Sequence, residues 1–150
     1  MLKLRFLALP ILFSFLVCRA FGADETQGDP LYEGWLKMYD LRFEEAHQPI
    51  SLWQKSHPAD PLGPASHAAG YLFAELARLG VLESELFIND NRFKGRRQLQ
   101  TDPESKQLFL KQIAAADRLA DAALQNQPNN EHALFAKSLS LGLLADYSAL

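Results

Sequence analysis

The chain has 150 residues, 48% of them hydrophobic, with 15 basic against 18 acidic side chains, a net charge of −3 and a mean hydropathy of −0.14. That length supports one domain with a real core, and the acidic balance argues against a nucleic-acid partner, because a phosphate backbone rewards a basic face. Cys18 is the only cysteine, which excludes an internal disulfide framework and a site built on several thiolates.

The first 22 residues read as an export signal. Lys3 and Arg5 form a basic start, Phe6 to Val17 is a 12-residue apolar run, and Ala20-Phe21-Gly22 brings small residues to a cleavage point. The run is too short for a bilayer, which needs roughly 20 apolar residues. Cys18 has Leu16 and Val17 before it, where a lipid-attachment site wants small residues. Cleavage after Gly22 removes Lys3, Arg5 and Arg19 and no acid, so the charge moves from −3 to −6. The expectation is an exported chain, periplasmic or secreted, with no membrane span once mature and a short polar lead over residues 23–29.

Asp29-Pro30 is a helix-start signal, and Leu31, Trp35, Met38 and Tyr39 share one helical face. Leu41-Arg42 predicts a turn. A second helix is expected from Phe43 to about Ser56, kinked at Pro49, and stopped by His57-Pro58-Ala59-Asp60-Pro61. A third runs from about Ala65 to Leu79, with Pro64 in its first turn and Gly80 as its C-terminal cap. An insertion of about 81–102 follows, holding Asn89-Asp90-Asn91 and the basic run Lys94-Gly95-Arg96-Arg97. Thr101-x-x-Glu104 with Pro103 predicts a capping box that opens a long helix to about Gln127. After the Pro128-Asn129-Asn130 turn, a further helix is expected from Glu131 to about Leu144, with Ala145-Asp146-Tyr147 as the next turn.

Several residues recur in step. Gly34, Ala46, Ile50 and Pro58 have the spacing of a small residue, an Ala-containing second helix and a closing Pro, and Ala116, Ala120 and Pro128 repeat its second half. Ala68 lies 34 residues after Gly34, with Tyr71 just beyond. The offset from Gly34 to Ser138 is 104, and so is that from Phe43 to Tyr147. On these residues the chain resembles the tetratricopeptide-repeat family over residues 30–60 and 104–150, and over 61–103 only in the first helix. It departs from that family at Pro30, where a Trp is usual, at Lys37, where a Tyr is usual, and at Trp53, where a small residue is usual.

The resemblance implies an all-α, right-handed α-solenoid of antiparallel helix pairs over 30–150, with two to three repeats, an insertion in the middle one and an incomplete last one. An ordinary helical bundle is the alternative. The resemblance also implies an interaction scaffold that binds a protein or peptide in a groove lined by first helices, with Lys37, Tyr39, Asp40, Lys137 and Ser140 as groove candidates. A second copy meeting the open C-terminal repeat is a further partner. Leu150 falls four residues into what would be the closing helix of the third repeat, so either the natural chain continues or a partner completes the layer.

No enzyme, cofactor or metal is expected. No nucleophile motif, phosphate loop or dinucleotide fingerprint is present. His47, His57, His67 and His132 include no pair at zinc-binding helical spacing, although His57 and His67 fall on or near loops that can meet. Asn89-Asp90-Asn91 lacks the spacing of a calcium loop and reads as a turn. The other readings are the N-terminal helical domain of a larger exported enzyme and an envelope protein held by an uncleaved signal.

Overall fold

The computed structural model describes residues 28–82 and 100–150. The export-signal reading of 1–22 and most of the insertion, including Asn89-Asp90-Asn91 and the basic run, lie outside these residues. The described chain is all-α, with α1 Pro30–Tyr39, α2 Phe43–Ser56, α3 Leu62–Arg78, α4 Pro103–Asn126 and α5 Glu131–Ser148. None of the described helices is long and apolar enough to cross a membrane.

Local chemistry sets the boundaries. Asp29 Oδ1 accepts from Leu31 N at 2.9 Å, with Pro30 directly after the cap. Asn130 Oδ1 accepts from Ala133 N at 3.0 Å and opens α5 in the same way. The cap of α4 is Asp102 rather than the expected Thr101, and its Oδ2 accepts from Ser105 N at 2.7 Å. That shift puts Pro103 at the first helical position, where its missing N–H costs nothing. Likewise α3 starts at Leu62, ahead of the expected Ala65, because Asp60 Oδ1 accepts from Leu62 N at 2.9 Å.

Two helices end in one motif. After α3, Gly80 N donates to Ala77 O at 3.0 Å and Val81 N to Leu76 O at 2.8 Å, with Gly80 at φ 68°. After α1, Leu41 N donates to Met38 O at 3.0 Å and Arg42 N to Lys37 O at 2.8 Å, but the left-handed residue is Leu41, at φ 61°. A side chain there costs about 1–2 kcal/mol relative to Gly, so the corner joining α1 to α2 is held by what packs on either side of it.

Consecutive helices pack on one another, and α3 also packs on α1 and α5. The result is a five-helix bundle whose sequential packing is consistent with a generic helical-repeat arrangement. The odd-numbered helices neighbour one another through α3, while α2 and α4 lie against them. From Gly63 to Gly70, α3 is buried at every position, and its Gly, Ala and Ser content lets neighbours close in from several sides. Met38, Ile50, Leu72, Phe109, Ile113, Leu143 and Tyr147 supply the bulk of the core.

Gly34, Ala46 and Ile50 meet where α1 crosses α2. A Cβ built on Gly34 falls 2.4 Å from Ile50 Cγ1 and 3.3 Å from Ala46 O. Ile50 is fully buried, so it has little room to yield. Gly34→Val is expected to destabilise the protein by about 2–3 kcal/mol through overpacking, despite the better helix propensity of Val. Urea unfolding with an unchanged m-value checks it.

One expected turn is absent. α5 runs through Ala145-Asp146-Tyr147 to Ser148. No Gly or Pro interrupts it there, and helical continuity from Leu143 carries Tyr147 onto Phe109, where its ring is buried. α2 likewise continues through Pro49, whose ring is buried.

Candidate functional site

The residues expected in a groove do not share one environment. Lys37 faces Glu33 at 3.5 Å and Glu45 at 3.9 Å. Tyr39 is 87% exposed at the end of α1, beside exposed Asp40. Lys137, on α5, pairs with Asp117 at 3.3 Å and with Asp121, both on α4. Ser140 is 2% exposed, and its Oγ has no hydrogen-bond partner among the described residues. Ser140 is therefore core, out of reach of a ligand, and Lys137 ties α5 to α4. Lys37, Tyr39 and Asp40 remain at the surface around the strained α1–α2 corner. Of the residues read as repeat-packing positions, Gly34, Ala46, Ile50, Ala68, Ala116, Ala120 and Tyr147 are buried, Tyr71 packs against the core, and Pro58 and Pro128 are exposed in turns.

The 104-residue offset relates α1 to α5. α1 buries Gly34 and Met38 and leaves Tyr32, Leu36 and Tyr39 exposed. At the offset positions of α5 the pattern inverts. Ser138 and Gly142 are exposed, while Ala136, Ser140 and Leu143 are buried. Each of these two helices thus buries the face that the other leaves open.

The open face of α5 is uncharged over two turns. Ser138, Gly142 and Ala145 run down its middle, Leu134 and Leu141 flank one side, and Phe135, 61% exposed, flanks the other. A Cβ added at Gly142 meets nothing within 4 Å, whereas one added at Gly34, Gly63 or Gly70 meets Ile50, Gln54 or His47 within about 3 Å. Glycine inside a helix costs about 1 kcal/mol against Ala. At the other three helical positions a neighbouring side chain fills the space beside the glycine, and at Gly142 that space is open among the described residues.

A second cluster lies between α2 and α3. His47 Nδ1 is 2.7 Å from His67 Nδ1. With ring centroids 5.0 Å apart and planes inclined by 16°, the imidazoles meet edge to edge rather than face to face. Ser51 Oγ lies 3.3 Å from His67 Nε2, and the Tyr71 ring sits 4.3 Å from the His47 ring. Burial, and then the neighbouring His47, push His67 down to about 4. Burial also lowers His47, against the opposing pull of Glu44. Both rings are neutral at pH 7, and one Nδ1–H donates to the other ring's lone pair.

Ser51, His67 and His47 stand in line, but a base this weak draws little proton from a hydroxyl at neutral pH. Two facing imidazoles are also a sparse donor set for a metal, and no group of three His, Cys, Asp or Glu side chains gathers among the described residues. The arrangement holds one shared proton between two helices.

His57, which the loops were expected to bring toward His67, stacks instead on Trp53 at 4.3 Å and reaches Trp53 O from Nδ1 at 3.1 Å. The His47–His67 pair was not anticipated. Its only trace in the sequence is that each histidine adjoins a repeat-pattern alanine, Ala46 and Ala68. Comparison with protein-family models, with curated proteins and with solved structures finds no match for this chain.

Proposed function

We propose that this chain is an exported interaction scaffold of the tetratricopeptide-repeat type, whose α5 face receives an amphipathic helix of a protein or peptide partner. The observation that supports it most is the inverted burial of α1 and α5 across the 104-residue offset. Among the described residues α1 is the first helix and α5 the last, and the two leave opposite faces open. At α1 the Gly34 face is covered by the antiparallel helix α2 through Ala46 and Ile50. An equivalent helix fits the Ser138–Gly142 face of α5, and apolar residues at its i, i+3, i+4 and i+7 positions would anchor it. The export part of the reading rests on the basic start, apolar run and small residues of 1–22.

A displayed library of amphipathic helical peptides, panned against the purified protein, tests the binding reading. The expected result is a helical ligand whose affinity falls at least ~10-fold with Phe135→Glu and is unchanged by Leu52→Glu, an exposed leucine on α2. Failure to select any ligand, or a ligand indifferent to Phe135→Glu, removes the reading. Gly142→Ala separates fold from binding, because it is expected to raise stability by about 1 kcal/mol by helix propensity alone, read by chemical denaturation. For export, the protein taken from its source is expected to begin at Ala23 by intact mass.

A further inference from the structure

We infer that the seam between α2 and α3 is an acid-operated latch, in which the proton shared by His47 and His67 holds the α1–α2 hairpin against α3 and a second proton releases it. The bond at 2.7 Å needs one N–H and one lone pair. A second proton turns it into two N–H groups pointed at each other in a seam where His67 is buried and His47 is half-buried. The rings have little freedom to slide apart in place. A Cβ on Gly70 would come within 2.9 Å of His47 Cε1, and one on Gly63 within 3.0 Å of the Gln54 side chain, so α2 lies close on α3 both at the pair and a helical turn or two away. An imidazolium at His67, 6% exposed, gains full hydration by separation of the helices.

The surrounding charges do not hold the second proton in place. From α2, Glu44 is the charged group felt by His47, and Ser51 is the neutral neighbour of His67. From α3, Tyr71 lies on the His47 ring. From α1, the nearest polar contact along α3 is the neutral bond from Trp35 Nε1–H to Ser66 Oγ, at 3.0 Å. Among the described residues α4 and α5 contribute no charge that moves either imidazole. Burial outweighs Glu44 for His47, and for His67 no anion offsets it.

The moving part is defined by packing. α1 and α2 interlock through Gly34, Ala46 and Ile50, whereas α3 is also held by α4 and α5. The hairpin therefore separates as a unit from a body that stays together.

The sign follows from the direction of the shifts. Both imidazoles are harder to protonate in the closed seam than in water, so the latch is full above pH 6.5 and weakens as pH falls toward 4. For His67 alone, the fall from pH 7 to pH 4 raises the opening constant roughly 100-fold. Glu75, the buried carboxylate of α3, lies below its ordinary 4.5, so its protonation comes later in an acid titration.

The test is hydrogen exchange on the whole protein from pH 7 to pH 4, corrected for intrinsic rates, in wild type and in the double variant His47→Gln and His67→Gln, whose amides bond across the seam but do not titrate. The expected result is an opening constant for the α1–α2 amides and the Trp35 indole N–H that rises by two orders of magnitude or more in wild type, with α4 and α5 amides unchanged, and no such rise in the double variant. A rise that persists in the double variant overturns the latch, because carboxylates then drive the opening. Imidazole titration by NMR in the wild type decides independently if the double variant does not fold. Two imidazoles titrating near 6.5 overturn the latch, and values well below 6.5 for both support it.

Discussion

Phe109→Ala is expected to lower the unfolding free energy by about 3–5 kcal/mol, the largest loss from a single side-chain truncation in this fold. Phe109 is the largest of the fully buried side chains. It lies on α4, with its ring 4.4 Å from the Tyr147 ring of α5 and the two planes inclined by 19°. Ile113, Leu72 and Leu143 complete the same core. Truncation removes the apolar contacts, leaves a cavity between long helices that cannot collapse freely, and strips one face of Tyr147. Phe109→Leu keeps most of the volume and is expected to cost about 1–1.5 kcal/mol. Urea denaturation measures both, and an unchanged m-value shows that the loss is native packing rather than a change in the surface exposed. Because Tyr147 depends on this contact to sit in the core, the last turn of α5 should lose hydrogen-exchange protection first.

The Phe109–Tyr147 pair also shows where sequence reasoning stops. The starts of α1 and α5 were legible because they rest on short-range chemistry: Asp29 and Asn130 cap with their own side chains. The end of α3 was legible for the same reason, through Gly80. The turn expected at Ala145-Asp146-Tyr147 was drawn by analogy with Leu41-Arg42-Phe43, and the analogy fails on a tertiary term. Tyr147 gains a buried ring contact by staying helical, while the α1–α2 corner accepts a left-handed Leu41 so that α2 can fold back over Gly34.

The site was less legible than the fold. α5 is apolar nearly all round, with Leu134, Phe135, Leu139, Leu141, Leu143 and Leu144 spread about its axis, so periodicity does not say which side is core. Ser140 was placed in a groove and is buried, a register error of the size that moves a side chain by 100° around its helix. The His47–His67 pair joins residues 20 apart on two helices. Its formation depends on the rotation of each helix about its own axis, and no local motif encodes that. Gly34, Ala46 and Ala68, which the repeat spacing singles out, are buried, and at Gly34 α2 comes close enough that a Cβ would meet Ile50.

Glu75→Ala is expected to cost about 3 kcal/mol. Glu75 is 2% exposed near the end of α3, and a lone carboxylate in that position would be strongly unfavourable. It is stabilised by a two-pronged pair with Arg78, whose Nε donates to Oε2 at 2.8 Å and whose Nη2 donates to Oε1 at 2.7 Å. Asp102 N also donates to Oε1 at 2.8 Å, and Arg78 Nη2 reaches Gln100 O at 2.7 Å. One carboxylate therefore fixes both the C-terminal turn of α3 and the chain that enters α4. Removing it frees Arg78, which is half exposed and can be solvated, but leaves the Asp102 N–H without its partner beside the cap of α4. That places the loss near the lower end of what breaking a buried ion pair costs. The hydrogen bonds from Arg78, against burial and with help from the Asp102 N–H, hold the Glu75 carboxyl below its ordinary 4.5. Its contribution is then complete above pH 4.5 and lost as pH falls through the depressed value. Glu75→Gln removes the charge and keeps the shape, so it is expected to be less damaging than Ala and to remove that acid-side loss. Unfolding free energies at pH 7 and over the acid range, for wild type and both variants, separate this carboxylate from the histidine pair: the histidine pair weakens between pH 6.5 and 4 and Glu75 below 4.5, so a Glu75→Gln protein that still loses stability between pH 6.5 and 5 leaves that upper limb to the α2–α3 seam.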